Sequence, residues 1–331
     1  MVPLHIRCGD DILDTLRTAG LEGDRTRWSD PVCEGPLHPW PTDQERRRER
    51  AVFLVMRYFL SYGEVYPSLA MEDHAVDDAD KYGETVLWFE HDLFDQASLV
   101  FLLVRLAPLM ERRTLSLICI GDHPRVSRFV GLGQLDAADL AELYPTRRPV
   151  TMEQVALARR AWAALQAPTP SALWALTQED TSALPFLRDA LLRYLAQYPS
   201  LDNGLSRTER WGLEGLAAGA RTAKEAFEVV QAREPRPFQG DSMFYATLRE
   251  LATGPQPLIS AGVPRLPKLR DNRFSDLELE LTPTAADLLQ GRADWFRVNG
   301  ASRWIGGTHL IGPEPAWRWD EADERLVEAG R

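Results

Sequence analysis

The stretch TVLWFEHDLFDQ, residues 85–96, constrains the fold more than any other part of the sequence. It begins as a short apolar strand and then breaks into polar residues just before an apolar helical segment. The polar residues are Glu90, His91, Asp92, Asp95 and Gln96. A buried strand that ends in acids and a histidine, where a helix begins, is typical of the ligand-binding edge of an open α/β sheet.

Three other strand-like runs share this design, because acidic residues follow each of them. They are residues 4–8 before Asp10, residues 26–29 before Asp30, and residues 114–120 before Asp122 and His123. Helical segments between the runs predict parallel strands, whose carboxyl ends meet at one edge of a sheet. We therefore predict an α/β fold that begins with a Rossmann-like parallel-sheet domain over residues 1–145.

The middle of the chain, residues 146–200, is predicted to be an α-helical connector. Thr151 and Gln154 have the spacing of a capping box, in which each side chain satisfies a free backbone N–H of the other residue. Leucines, alanines and aromatic residues then recur at helical spacing, which is more typical of core packing than of a cofactor site.

The last part, residues 201–331, is predicted to be a winged-helix-like α+β domain. Two capping boxes start helices there, and a third helix begins near Asp241. The boxes are Ser206 with Glu209 and Thr222 with Glu225. An Asn-Gly pair at residues 299–300 predicts a β-hairpin between strands at residues 295–298 and 302–305. Three helices followed by a hairpin indicate a winged helix.

Carboxylates that meet near histidines at one sheet edge suit a hard divalent cation or general acid–base chemistry. We therefore predict a site there for a small phosphate- or nucleotide-like ligand, with a divalent cation as the candidate cofactor. The candidate catalytic residues are His91, Asp92 and Asp10, and the candidate ligand-binding residues are Asp30, Gln96 and Asp122. His91 is the candidate for proton transfer, because an unperturbed histidine titrates near neutrality. The alternative is that the aspartates cap helices and His91 lies on the rim.

Composition excludes some classes of function. The net charge of −11 disfavours non-specific nucleic-acid binding, which needs a basic surface. The three cysteines are widely spaced and form no CxxC pair, which disfavours a zinc site or a disulfide framework. The sequence starts without the pattern of a signal peptide, and the longest apolar run, residues 99–110, is short for a membrane span. We expect a cytoplasmic protein without a membrane partner.

The winged-helix prediction opens a second class of function, a DNA-binding or protein-contact regulator that acts through residues 201–331. The candidate recognition helix, residues 242–253, carries Arg249 as its only basic residue. Arg297 and Arg303 on the predicted hairpin could contact phosphates, but two arginines do not make a DNA footprint. DNA binding is therefore the less favoured reading of this region.

Several short motifs together resemble a bacterial family catalogued as domain of unknown function 1835. They are HIRCGDD, LWFEHDLFDQ, ICIGD, RFVGLGQL, LSRTE, GDSMF, LTP and RWIGGTHL, and they extend over nearly the whole chain. His5 and Asp10 match the family's HxxxxD opening pattern, and His91, Asp92 and Gln96 match its second motif. The resemblance implies an N-terminal α/β domain with a helical and winged-helix-like C-terminal part. It implies no activity.

Overall fold

A computed structural model describes residues 2–263, 265–269, 271–300 and 302–329 of the chain. The strands are β1 (Leu4–Arg7), β2 (Asp24–Arg27), β3 (Gly35–Pro36), β4 (Glu84–Glu90), β5 (Thr114–Ile120), β6 (Arg148–Pro149), β7 (Ile259–Ser260), β8 (Glu280–Leu281), β9 (Ser302–Gly306), β10 (Thr308–Ile311), β11 (Trp317–Asp320) and β12 (Arg325–Glu328).

The α-helices are α1 (Leu13–Thr18), α2 (Asp43–Tyr58), α3 (Tyr62–Asp77), α4 (Leu93–Leu106), α5 (Ala137–Leu143), α6 (Met152–Leu165), α7 (Ser171–Thr177), α8 (Leu187–Leu195), α9 (Arg207–Ala217), α10 (Ala223–Arg233), α11 (Asp241–Thr253), α12 (Asn272–Ser275), α13 (Pro283–Leu289) and α14 (Trp295–Asn299). Short 3₁₀ turns lie at Asp78–Lys81, Ala107–Glu111, Leu132–Gln134 and Tyr144–Thr146.

The central sheet has five strands in the order β2-β1-β4-β5-β6. The pairs β1–β2, β1–β4 and β4–β5 are parallel, and the short edge strand β6 is antiparallel to β5. A mixed α/β fold with a mostly parallel sheet is therefore confirmed. The chain leaves β1 toward β2 on one side and returns as β4 on the other, so the order of the strands reverses between β1 and β4. Open α/β sheets bind ligands at the carboxyl ends of the strands beside such a reversal.

The C-terminal region contains the predicted helices α9, α10 and α11, but the winged-helix description is not confirmed. The predicted strand at residues 295–298 is wrong, because those residues form α14. Asp294 caps this helix by accepting a hydrogen bond from the backbone N–H of Arg297, which makes the segment helical despite the Asn-Gly pair that follows.

The hairpin forms farther along the chain, between β9 and β10, and β9 also pairs in parallel with β3 from the N-terminal region. Its turn lies close against the end of α6. A Cβ atom on Gly307 would lie 2.1 Å from the carbonyl oxygen of Gln166, so the turn approaches that backbone more closely than any side chain allows. The hairpin is thus packed against β3 through β9 and against the end of α6 through its turn.

A single hydrophobic cluster connects the sheet to the C-terminal helices. Leu4 in β1, Leu99 in α4, Leu165 in α6, Leu213 in α9 and Trp319 in β11 all belong to it. The boundaries that we expected near residues 145 and 200 stay predictions.

The apolar segment Leu93–Glu111 is long and apolar enough to cross a membrane, with a mean hydropathy of 1.6. It contains α4, and 67% of its most apolar part is buried inside the protein. Burial of this kind is usual for the central helix of a globular domain, so this one segment is weak evidence for a membrane span. The cytoplasmic location stays a prediction.

A buried ion pair joins the loop after β2 to α2. Arg50 and Asp30 are both inaccessible to solvent, and Nη2 of Arg50 lies 2.7 Å from Oδ1 of Asp30. The same guanidinium donates hydrogen bonds to the carbonyl oxygens of Pro31, Glu34 and Pro36. A guanidinium without this carboxylate would be a buried charge with no counter-ion.

We expect Asp30→Asn to lower the free energy of unfolding by about 3–5 kcal/mol, because it leaves the Arg50 charge buried and unbalanced. Urea unfolding followed by circular dichroism measures the loss. The matched control is Asp14→Asn, since Asp14 pairs with Arg17 on the exposed surface and its loss should change stability little. Equal effects of the two substitutions would contradict this account.

Candidate functional site

The reversal point between β1 and β4 holds a buried cluster of charged side chains around Arg7, the last residue of β1. The Arg7 guanidinium donates from Nε to Oδ1 of Asp11 at 3.0 Å and lies 3.1 Å from Oε1 of Glu90, the last residue of β4. It also donates to Asp95 in the first turn of α4. The thiol of Cys8 donates to the other oxygen of Asp95 at 2.7 Å. One guanidinium therefore joins the ends of two strands and the start of a helix.

The turn from β4 into α4 places these acids. Asp92 is the N-cap of α4 and accepts a hydrogen bond from the backbone N–H of Asp95 at 3.0 Å, as the capping alternative expected. Asp95 then accepts the backbone N–H of Glu90 at 2.7 Å. Gln96 donates to the carbonyl oxygen of Glu90 at 2.6 Å. The motif thus builds a strand-to-helix turn that is closed by its own polar side chains.

Burial controls the charge of this cluster. Burial and then the nearby charge of Asp95 raise the pKa of Glu90, the charge of Arg7 lowers it, and the resulting pKa is about 7. Burial also raises the pKa of Asp92 well above its usual range, assisted by the charges of Asp95 and Glu90. The cluster therefore holds protons near neutral pH.

Glu90, Asp92 and Asp95 could also hold a cation, because each offers a carboxylate oxygen and these oxygens lie within 4.8 Å of one another. Carboxylate oxygens are ligands that Mg²⁺ and Ca²⁺ prefer. The Arg7 guanidinium already supplies a positive charge to two of the three acids. A divalent cation would therefore have to displace protons from the cluster and compete with Arg7.

His91 lies beside this cluster and is buried, with 5% of its surface exposed. Its Nδ1 atom has no hydrogen-bond partner among the described residues. Its ring contacts Phe129 and Phe186, with centroids 5.6 and 6.0 Å apart. Burial and then the positive charge of Arg236 lower the pKa of His91, the charge of Asp122 raises it, and the resulting pKa is about 4. The imidazole is therefore neutral at pH 7.

Arg236 approaches the same place from the segment after α10. Its Nη2 atom pairs with Asp189 at 2.9 Å, whereas Nη1 is buried without a hydrogen-bond partner in the described part of the chain. Its guanidinium carbon lies 5.7 Å from the ring centroid of Phe186, the ring that His91 also contacts. A Cβ on Gly121 would lie 2.7 Å from that ring, so only glycine permits the approach of Phe186 to the end of β5.

The predicted site residues fall into two groups. His91, Asp92 and Gln96 lie together at the end of β4, and exposed Asp122 follows β5 close enough to affect the charge of His91. Asp10 and Asp30 are engaged in ion pairs elsewhere, Asp10 with Arg27 at 3.0 Å and Asp30 with Arg50. The functional roles that we expected for the six residues stay predictions.

His5, the first residue of the opening motif, is buried within the sheet. One ring nitrogen lies 3.0 Å from the carbonyl oxygen of Glu22, and the other accepts a hydrogen bond from the indole N–H of Trp88 at 3.1 Å. Both nitrogens are therefore used within the protein, which indicates a structural role.

Sequence reasoning missed Arg7 and Arg236. A signal for Arg7 was present, because a charged residue inside the apolar strand LHIRC must be paired when that strand is buried. Arg236 had no local signal, since its position depends on how the end of α10 packs against the sheet.

We expect the free energy of unfolding of the Glu90→Gln variant to increase, relative to that of the unchanged protein, as the pH rises. The pKa of Glu90 is raised from 4.5 to about 7 by folding, so its contribution to stability is fully present below pH 4.5 and is lost as the pH rises to 7. Glutamine resembles the protonated acid and keeps that contribution. The relative gain between about pH 5 and about pH 8 should be on the order of 1 kcal/mol or more.

Urea unfolding at several pH values measures this gain. Glu153→Gln on the exposed face of α6 is the control, and its stability relative to the unchanged protein should not depend on pH in that window. A flat difference for Glu90→Gln as well would show that Glu90 is ionised throughout.

No protein-family model matches the chain, and no curated protein matches it. The resemblance to the domain of unknown function 1835 therefore stays a prediction, and the site has to be interpreted from its own geometry.

Proposed function

We propose that the protein binds a small anionic ligand, phosphate- or nucleotide-like, at the carboxyl edge of its sheet, with His91 and Arg236 as contacts. The observation that carries this proposal is that both side chains have a buried nitrogen without a partner among the described residues. Buried polar atoms are nearly always hydrogen-bonded. Two side chains that both lie against the ring of Phe186 each have a buried nitrogen without such a bond, which favours a ligand or ordered water beside them. The edge is also where open α/β sheets bind ligands.

The charges favour an anion. The guanidinium of Arg236 is cationic, and its planar shape suits the geometry of a phosphate or carboxylate group. Neutral His91 adds a hydrogen-bond donor in the tautomer that carries its proton on Nδ1. Exposed Asp122 would repel an anion, but it could share a divalent cation with a phosphate group. A divalent cation therefore stays the proposed cofactor, and the proposal concerns binding without specifying a reaction.

The alternative, a regulator that contacts DNA through its C-terminal region, stays a prediction. Arg249 donates to the carbonyl oxygen of Pro267 at 2.8 Å, and its guanidinium carbon lies 3.8 Å from the ring centroid of Phe59. Arg303 pairs with Glu209. Arg297 pairs with Glu314 at 3.3 Å. All three arginines considered for DNA contact thus have partners within the protein.

A thermal-shift panel tests the proposal with inorganic phosphate, AMP and ATP, each with and without MgCl₂. A ligand at a hundred times its Kd should add about 2.7 kcal/mol to the free energy of unfolding and so raise Tm. We expect at least one compound to raise Tm, and the Kd measured by calorimetry to rise by about tenfold or more in Arg236→Gln, since a charge-assisted contact is lost.

The matched control is Arg233→Gln, three residues away on α10, where Arg233 pairs with Glu214 at 2.6 Å. This variant should bind as the unchanged protein does. His91→Gln should weaken binding too, because the amide of glutamine does not place an N–H group at the position of Nδ1. A panel without any shift, or equal binding by the Arg236→Gln and Arg233→Gln variants, would refute the proposal.

A further inference from the structure

A cavity of about 560 Å³ lies between α2 and β3 on one side and the C-terminal elements α9, α11, α14 and β9 on the other. Its volume is within the range of small-molecule sites. Neither Arg236 nor any of the six predicted site residues, His91 among them, lines it. Five of the described lining residues are charged: Glu34, Arg57, Glu209, Glu250 and Arg303.

One of the two guanidinium groups has a carboxylate partner of its own. Arg303 contacts both oxygens of Glu209, one of them at 3.1 Å, in a two-pronged ion pair. Glu209 is buried and also accepts the backbone N–H of Ser206 at 2.7 Å, in the capping box of α9. This pair is neutral and closed, so it adds no net charge to the wall.

The other guanidinium is shared between two carboxylates. Arg57 pairs with Glu250, lies 3.4 Å from Glu34 and donates to the hydroxyl of Thr247 at 3.0 Å. Glu34 is buried and has one further partner, the phenol of Tyr58. Burial raises the pKa of Tyr58, so that this partner is a neutral donor. The wall of the cavity therefore carries one more negative than positive charge, and the excess lies at Glu34 and Glu250.

The rest of the wall supplies apolar and aromatic surface. Phe53, Met56, Trp295, Trp304 and Ile305 line it. A negative charge with one shared counter-ion, beside aromatic surface, is complementary to a molecule with one positive group and an apolar body. The same arrangement is unfavourable for an anion, which would lie near two carboxylates.

We infer that this cavity binds a small organic monocation, a primary amine with an aromatic or apolar body, whose ammonium group lies beside the pair of acids Glu34 and Glu250 that Arg57 bridges. The amine would provide a second positive charge for two acids that share the single charge of Arg57. The inference does not depend on the anion site at the sheet edge.

Three probes of similar size test the sign of the charge: phenethylamine, 2-phenylethanol and 3-phenylpropionate. Calorimetry should give a Kd for phenethylamine that is lower by about tenfold or more than for the other two, because only the ammonium compensates the excess charge. Quenching of tryptophan fluorescence should follow binding, since Trp295 and Trp304 line the cavity.

Glu250→Gln removes the excess charge at a position that solvent reaches, with the side chain of Glu250 52% exposed. It should weaken phenethylamine binding by about tenfold and leave 2-phenylethanol binding unchanged. The matched control, Glu153→Gln, should change neither. Thr253→Phe narrows the cavity without changing its charge and should weaken both ligands, which tests the location even if Glu250→Gln destabilises the protein.

The inference is overturned if none of the probes binds, if the acid binds as tightly as the amine, or if Glu250→Gln and Glu153→Gln behave alike. His91→Gln separates the two sites, because it should not affect the amine.

Discussion

The buried guanidinium of Arg7 is the interaction on which the arrangement of the sheet edge depends. It contacts Asp11, Glu90 and Asp95, and so it holds the end of β1, the end of β4 and the first turn of α4 at fixed separations. Without it, Glu90, Asp92 and Asp95 would be three buried acids with no positive partner in the cluster, and each acid that stayed ionised there would cost several kcal/mol. The reversal of strand order at β1 and β4 therefore coincides with the place where the protein balances its own buried charge.

This balance changes what the sheet edge can do. An open α/β sheet leaves a crevice at the reversal point, and many proteins use it for a ligand. Here the motif acids are engaged by the chain itself: Asp92 caps α4, Asp95 accepts from Cys8 and from the backbone of Glu90, and Glu90 accepts from the backbone of Leu132. Two buried nitrogen atoms without a hydrogen-bond partner among the described residues lie aside from these acids, on His91 and Arg236, which both contact Phe186. The proposed ligand site is therefore shifted toward β5 and the end of α10.

Two proposed sites with opposite preferences would allow the protein to bind two different small molecules. The edge site would take an anion, because an arginine without a full set of partners faces it. The cavity beneath α11 would take a cation, because Arg57 is shared between Glu34 and Glu250. Both sites involve residues from the C-terminal half of the chain, Arg236 in one and Glu250 in the other. The C-terminal region thus contributes contacts to each proposed site, whatever further partner it has.

Local patterns in the sequence determined the elements of the fold. The apolar runs form the parallel strands β4 and β5. Thr151 with Gln154 and Ser206 with Glu209 form the capping boxes of α6 and α9. Both kinds of pattern involve residues that are close together in the sequence. Local patterns also placed His91, Asp92 and Gln96 at one strand end. They misplaced the hairpin, where the cap from Asp294 outweighed an Asn-Gly turn signal.

Only the tertiary structure decided which polar groups meet. The pairing of Asp30 with Arg50, the approach of Arg236 to His91 and the sharing of Arg57 by two acids all join residues far apart in the sequence. Burial then set the protonation of Glu90 and His91, because the cost of removing a charge from water depends on the whole surrounding structure and not on the neighbouring residues.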